Sequence, residues 1–397
     1  MVVRMNLLQA FDDNILLLKI VAIWCFENEF LYKIYRYFVT SVLVLHITTM
    51  ILFVVSSKDQ KLDVILEGTY VTVGATEALI KNALFRRNFT AITNTWHNLE
   101  KEEFQPRTDE QKMIIDDYVS STQIVFKIFN TIVGLTGSTL IILPWLTEES
   151  DLPTNSWFPF DYHRPVLHEV IYIVISICAL YFVFGNCGIN LYCYISMSQI
   201  AAQCDLVADT VRNIEDISKN FNTSKLSNHE SIKSTILIEC VHHYNLIRNY
   251  ADVLSDSFKE IIMYQFLSST VMICITMYKL SLVEPFSPHF FQITFFQMAA
   301  TSEIFCYCFF GELVTERSSR LFYATFESTW WDSTKKFKKN LMVFMQQVQN
   351  PIVFYGWNIF AINLELFKSV STFPAVMLSL RIFVFRSCKS PGVFFSL

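Results

Sequence analysis

Glycine is scarce in this chain, with nine among 397 residues. Soluble enzymes of this length punctuate strand–helix alternation with glycine turns, so such a scaffold is not supported. Charge is scarce too. Only 17% of residues are charged, against about 25% in an average soluble domain, and the deficit is concentrated in long apolar stretches. The net charge of −5 comes with no basic tail or stripe, which leaves nothing to attract nucleic acid. A secretory leader is not expected. The first apolar run, 15–25, is broken by Lys19, follows Asp12 and Asp13, and lacks a small-residue cleavage site. It reads as a short amphipathic or re-entrant helix against a membrane.

Cysteine is plentiful but not arranged for chemistry. Cys178, Cys187, Cys193, Cys274, Cys306 and Cys308 fall in or beside apolar runs and read as small packing residues. Cys306 and Cys308 point to different helix faces and have no further ligands at metal-site spacing. His46, His168, His242, His243 and His289 are scattered, and no nucleophile–base arrangement stands out. Neither an enzyme nor a resident cofactor or metal is expected. No internal repeat appears either, which weakens a transporter built from related halves.

What the chain has is hydrophobic length. It is 52% hydrophobic with a mean hydropathy of +0.36. A hydrocarbon core of about 30 Å needs roughly 20 apolar residues as helix. Seven stretches qualify or nearly do: 37–57, 65–85, 124–146, 166–196, 263–283, 289–313 and 352–384. Glu67, Glu77 and Lys81 interrupt the second, and Glu365 and Lys368 the last. Charges at membrane depth should face the bundle interior or water. Glu77 and Lys81, one helical turn apart in acid-first order, are expected to neutralise each other.

With the N-terminus inside, the segments between spans place 21 of the 31 Lys and Arg in the cytosol and five outside, a strong positive-inside bias. The expected fold class is therefore all-α, a polytopic membrane protein with seven transmembrane helices, a cytosolic N-terminus and an extracellular C-terminus. A G-protein-coupled receptor has the opposite orientation. The sequons at Asn88 and Asn222 fall on the cytosolic side and should stay unmodified. Helical spacing of apolar residues continues through 199–262, interrupted by the Asn-, Ser- and Thr-rich stretch 220–231. Spans four to six are thus expected to extend as helices below the membrane. The expected divisions are 1–36, a cytosolic segment; 37–311, spans one to six; 312–350, a cytosolic anchor segment; and 351–397, the last helix and the external C-terminus.

The stretch from Phe309 to Lys368 carries a distinctive order of motifs. Gly311-Glu312 ends the sixth span, and Trp330-Trp331-Asp332 follows. Then come the basic run 335–339, the helix containing Met345-Gln346-Gln347, Asn350-Pro351, and Leu364-Glu365-Leu366-Phe367. Trp157-Phe158-Pro159-Phe160-Asp161 precedes the fourth span. In this order and spacing the motifs resemble the insect odorant-receptor family. The chain departs from the family pattern near the end of helix seven, where Phe373-Pro374-Ala375-Val376-Met377 stands, and about a dozen residues follow Phe385. Gustatory receptors are the related alternative, but Ser379-Leu380 does not complete their motif.

The resemblance implies a subunit of a ligand-gated, non-selective cation channel in the plasma membrane of olfactory sensory neurons. It implies a heterotetramer with an odorant receptor co-receptor. The short loop between helices four and five suits the odorant-binding subunit. By the same resemblance helix seven lines the pore, with a hydrophobic gate at Leu380, Phe383 and Val384, and Arg381 beside it. A small hydrophobic volatile is expected among helices two, three, four and six. The implied site residues are Tyr70, Val73, Gly134, Ser138, Trp145, Tyr172, Ile173, Ser176, Phe291, Phe295 and Phe296, with Thr72 nearby. Such a lining holds a ligand by shape, dispersion and one hydrogen bond.

Overall fold

The computed structural model describes residues 7–24, 30–57, 62–146, 152–221, 229–370 and 372. Ten α-helices have bounds within them: α1 (Asp12–Ile20), α2 (Phe30–Ser56), α3 (Leu62–Arg87), α4 (Phe89–Asn98), α5 (Asp109–Leu146), α6 (Pro165–Arg212), α7 (Ile214–Phe221), α8 (His229–Leu280), α9 (Pro288–Glu327) and α10 (Lys335–Val348). A two-residue antiparallel ribbon, β1 (Tyr355–Gly356) with β2 (Phe360–Ala361), precedes a further helical stretch over 364–370.

Five of these helices are long and apolar enough to cross a membrane: α2, α5, α6, α8 and α9. The second expected span forms α3 over 26 residues, and its charges explain its weak hydropathy. Glu67 pairs with Lys279 of α8 at 2.9 Å, and Glu77 pairs with Lys81 at 2.6 Å. Hydroxyls in the spans return to their own helix, as Thr48 does to the Val44 carbonyl and Thr76 to the Thr72 carbonyl, so they add no unmet polar group. The expected extensions are present. α6, α8 and α9 run 48, 52 and 40 residues, each longer than a bilayer crossing of roughly 20.

These three helices form the trunk, and below the cavity described next it is close-packed. Every residue of α6 from Cys187 to Cys204 is buried. Tyr192 stacks on Phe258 at 6.2 Å and meets Phe85 edge-on at 5.8 Å, with Trp24 at 5.8 Å on another side. The described part of segment 15–25 lies mostly in α1, which packs on α6. Leu18 is fully buried, Asn14 donates to the Gly188 carbonyl at 2.9 Å, and a Cβ on Gly188 would stand 2.7 Å from Leu18.

The last expected span begins later than its hydropathy indicates. Residues 352–363 are not helical. The ribbon turns through Trp357 and Asn358, both at positive φ (45° and 58°), and Trp357 N–H donates to the Lys259 carbonyl at 3.2 Å. Helix resumes at 364, where Asn363 accepts from the Leu366 N–H at 2.8 Å, an N-cap contact. This is the Leu364-Glu365-Leu366-Phe367 motif, so the motif marked the start and the apolar Ile352-Val353-Phe354 did not. Gly311 sits beneath the ribbon, and a Cβ there would stand 2.6 Å from the Ile362 carbonyl oxygen. Only glycine admits that approach.

Candidate ligand-binding cavity

Between α2, α3, α5, α6, α8 and α9 lies a cavity of about 120 Å³. Its walls are mainly apolar: Met50, Val71, Ala75, Val133, Leu140, Ala179, Phe182, Met272 and Phe296. Gly74 keeps the α3 wall open, with the Met272 sulfur 3.3 Å from where its Cβ would stand. At one rim His46, stacked on Phe182 at 6.1 Å, lies 3.3 Å from the Thr154 hydroxyl. Thr154 belongs to the segment before α6, which is also tied to α2 where Trp157 N–H donates to the Thr49 carbonyl at 3.0 Å.

The floor is polar, formed by Glu77, Asn186 and Glu303. Beneath it Lys81, fully buried, donates to Asn186 at 2.8 Å, to Asn190 at 3.1 Å and to Gln265, besides pairing with Glu77. Glu303 accepts from Asn186 at 2.9 Å and from Gln265 at 2.7 Å. Glu77 accepts from Ser268, and Tyr307 donates to Asn190 at 2.9 Å. Four helices are thus knitted together by one network, which satisfies charges that hydrocarbon could not.

Of the residues implied by resemblance, Phe296 lines the cavity. Tyr70 is buried behind it, edge-on at 4.7 Å. Phe295 is half-buried, its carbonyl accepting from Thr136 at 3.2 Å. Tyr172 donates to the Ile141 carbonyl and meets Trp145 at 5.6 Å, in a separate cluster with Leu152 and Ile175. Ser176 returns its hydroxyl to Tyr172 at 2.8 Å. Ile173, Trp145, Ser138 and Phe291 are exposed on the outer surface, and no atom lies within 4 Å of a Cβ built at Gly134. Val73 and Thr72 line a second, outward-facing groove of about 400 Å³ between α2, α3 and α8, which also reaches Glu77. Leu380, Phe383 and Val384 lie outside the described residues. Sequence reasoning missed His46, Met50, Phe182, Asn186 and Glu303. The signal for Asn186 and Glu303 was available: an amide and a carboxylate inside apolar runs.

A third space, about 130 Å³, separates the 364–370 helix from α8 and α9, bounded by Ile273, Met277, Gln297, Thr301, Ile304, Phe367 and Val370. Phe305 of α9 meets Phe367 at 5.4 Å. One helix, α9, therefore walls both the cavity (Phe296, Ala299, Ala300, Glu303) and the crevice beside the last helix.

A mainly helical bundle with five helices long and apolar enough to cross a membrane, and a mainly apolar cavity among them, defines a multi-pass membrane protein. The family model described as 7tm Odorant receptor matches residues 61–373, and the chain belongs to that family. It is 28% identical over 137 residues to Odorant receptor 43b of Drosophila melanogaster, covering 34% of each chain. It is 22% identical over 228 residues to Odorant receptor 23a of the same fly, covering 57% of this chain and 58% of that one. With the Odorant receptor coreceptor of Anopheles gambiae it shares 22% over 163 residues, 41% of this chain and 34% of that one. The matches thus span from about a third to under three-fifths of these relatives. The fold matches the insect olfactory receptor OR5 from Machilis hrabei in complex with eugenol, with a TM-score of 0.82, 15% identity, and 95% and 98% of the two chains covered.

Proposed function

We propose that this chain is the odorant-binding subunit of a ligand-gated cation channel, and that its ligand occupies the cavity bounded by α2, α3, α5, α6, α8 and α9. The cavity faces outward, the α4, α7 and α10 end lies in the cytosol, and the 364–370 helix leads into the pore-lining segment that carries Leu380, Phe383 and Val384. A ring of apolar side chains closes a pore by dewetting. Odorant receptor co-receptor subunits complete the heterotetramer, and the assembly acts in the plasma membrane of olfactory sensory neurons.

The observation that supports this reading is the shared wall. A ligand that packs against Phe296 and Ala300 acts on α9, whose neighbouring face meets Phe367. A small displacement on one side reaches the base of the gate helix on the other, without contact between ligand and pore. Tyr70, behind Phe296, stiffens the wall. Such coupling needs a ligand that binds the open arrangement better than the closed one.

Co-expression with a co-receptor and current recording against a panel of volatiles tests the proposal. A dose-dependent cation current that needs both chains is expected. Surface delivery of both chains with no evoked current from any volatile contradicts it.

A further inference from the structure

The polar groups at the cavity floor are engaged with one another, Glu77 with Lys81, and Asn186 with both Lys81 and Glu303. On the wall, Thr136 donates to the Phe295 carbonyl at 3.2 Å. His46 at the rim is not so satisfied. It is 6% exposed and borders the cavity, with its ring stacked on Phe182. Its Nε2 meets the Thr154 hydroxyl at 3.3 Å. Its Nδ1 has no hydrogen-bond partner among the described residues, yet it keeps open surface rather than being sealed in protein. A buried ring nitrogen left unmet beside an apolar space points to a partner that the ligand brings.

What Nδ1 offers follows from Thr154. Among the described residues the Thr154 hydroxyl has no partner other than this ring, and no acid pairs with the ring. A neutral imidazole has one N–H and one bare nitrogen. With the hydrogen on Nε2, both the threonine O–H and the bare Nδ1 would go unmet. With Thr154 donating to Nε2, the hydrogen sits on Nδ1 and that N–H alone goes unmet. The network thus assigns the tautomer that leaves a single free donor.

We infer that the cavity selects small neutral carbonyl compounds, the carbonyl oxygen accepting from His46 Nδ1–H and the apolar body lying past Phe182 toward Phe296. This rests on the reading of the cavity as the odorant site. The volume of about 120 Å³ sets the size. An engineered apolar cavity of roughly 150 Å³ takes benzene, so a body of about six carbons is the scale that fits. A carbonyl oxygen brings only lone pairs to the rim. An alcohol of the same skeleton brings an O–H as well, and the apolar walls on the cavity side of the ring, Phe182 and Met50, offer it no acceptor. Burying that unmet donor carries a penalty that the ketone escapes. Thr154 is then a positioning residue, acting through the histidine.

The test compares matched pairs, cyclohexanone with cyclohexanol and 2-pentanone with 2-pentanol, on the full receptor co-expressed with a co-receptor. In the unmodified receptor each ketone is expected to activate at a concentration about tenfold below its alcohol, the order set by one unmet buried donor. Thr154→Val removes the hydrogen that fixes the tautomer, so the ketone-to-alcohol ratio should fall toward one. Thr154→Ser keeps a hydroxyl and should restore the preference. A ratio within one receptor does not depend on surface level, and the unmodified receptor decides alone should the valine variant not reach the membrane. Alcohols as potent as their ketones, a ketone advantage that survives Thr154→Val, or a receptor that answers other volatiles but neither ketone overturns the inference. Each of those results leaves the odorant-site reading standing. Silence to these pairs and to a wider panel, despite surface delivery, removes that reading and this one with it.

Discussion

The two ends of the bundle are built on different principles. Toward α4, α7 and α10 the long helices are close-packed around aromatic side chains. Tyr192, Phe258, Phe85 and Trp24 interlock, and Tyr244 of α8 meets Phe344 of α10 edge-on at 5.9 Å. Buried charge there is paired. Lys233, 1% exposed, donates to Glu215 at 2.8 Å and to the Thr329 carbonyl at 3.0 Å, and stands 5.2 Å over the Phe337 ring. At the other end the same helices leave a cavity and hold together through a polar network. A ligand site needs the low-stability end of a fold.

The comparison can be broken first at Lys81. Removing one member of a buried ion pair costs about 3–5 kcal/mol, and here four acceptors lose their donor at once. Lys81→Met is expected to abolish surface delivery, and Lys81→Met with Glu77→Gln to recover part of it. Surface labelling of tagged protein checks both, and normal delivery of the single variant would mean that the network holds nothing together.

Next comes the contrast between two phenylalanines. Phe258→Ala in the packed base should cost about 3–5 kcal/mol through cavity formation, read as a large drop in thermal midpoint in detergent. Phe296→Ala merely enlarges an existing space. It should shift that midpoint little while raising the effective odorant concentration about tenfold. Equal losses of stability would erase the distinction between the ends.

Gly311→Ala should follow, at about 1–3 kcal/mol from overpacking. Its Cβ would press on the Ile362 carbonyl, a backbone atom with no rotamer to escape into. Altered gating with intact cavity affinity, measured as raised basal current and unchanged odorant potency, would place the effect at the ribbon. The smallest effect is acid. The hydrogen bond from Lys233 holds the Glu215 carboxyl below the usual range, so its contribution is present above the unfolded value of about 4.3 and lost as pH falls through the folded one. Stability at the α7–α10 end should therefore decline only below about pH 4, and Glu215→Gln should flatten that decline in a thermal-shift titration.

The helical architecture was readable because membrane helices announce themselves by length and apolar composition. The pairing of Glu77 with Lys81 was readable because both lie on one helix, a turn apart. The Trp330-Trp331-Asp332 region also made sense in advance as a motif. The structure adds that the Thr329 carbonyl beside it receives Lys233, which ties α8 to the turn before α10. The cavity was harder. Its floor draws Glu77, Asn186 and Glu303 from three helices far apart in sequence, and no local pattern states which faces meet. Spacing alone put Tyr172, Ile173 and Ser176 on one face. Tyr172 turns inward and Ile173 outward, because adjacent helical residues stand about 100° apart. Hydropathy put the start of the last helix too early because Ile352-Val353-Phe354 looks like a span, whereas the Leu364 motif marked it, and contacts of Trp357 with Lys259 and of Ile362 with Gly311 hold the non-helical stretch between.

The account depends on α9 transmitting occupancy of this particular cavity to the last helix. Filling the cavity tests that directly. Ala299 lines it on α9, and Ala299→Phe would occupy the space a ligand needs. Co-expressed with a co-receptor, the variant is predicted to reach the surface, to keep the constitutive cation current, and to lose odorant-evoked current by tenfold or more in potency. An unchanged dose–response curve for every active volatile would place the odorant elsewhere and contradict the account.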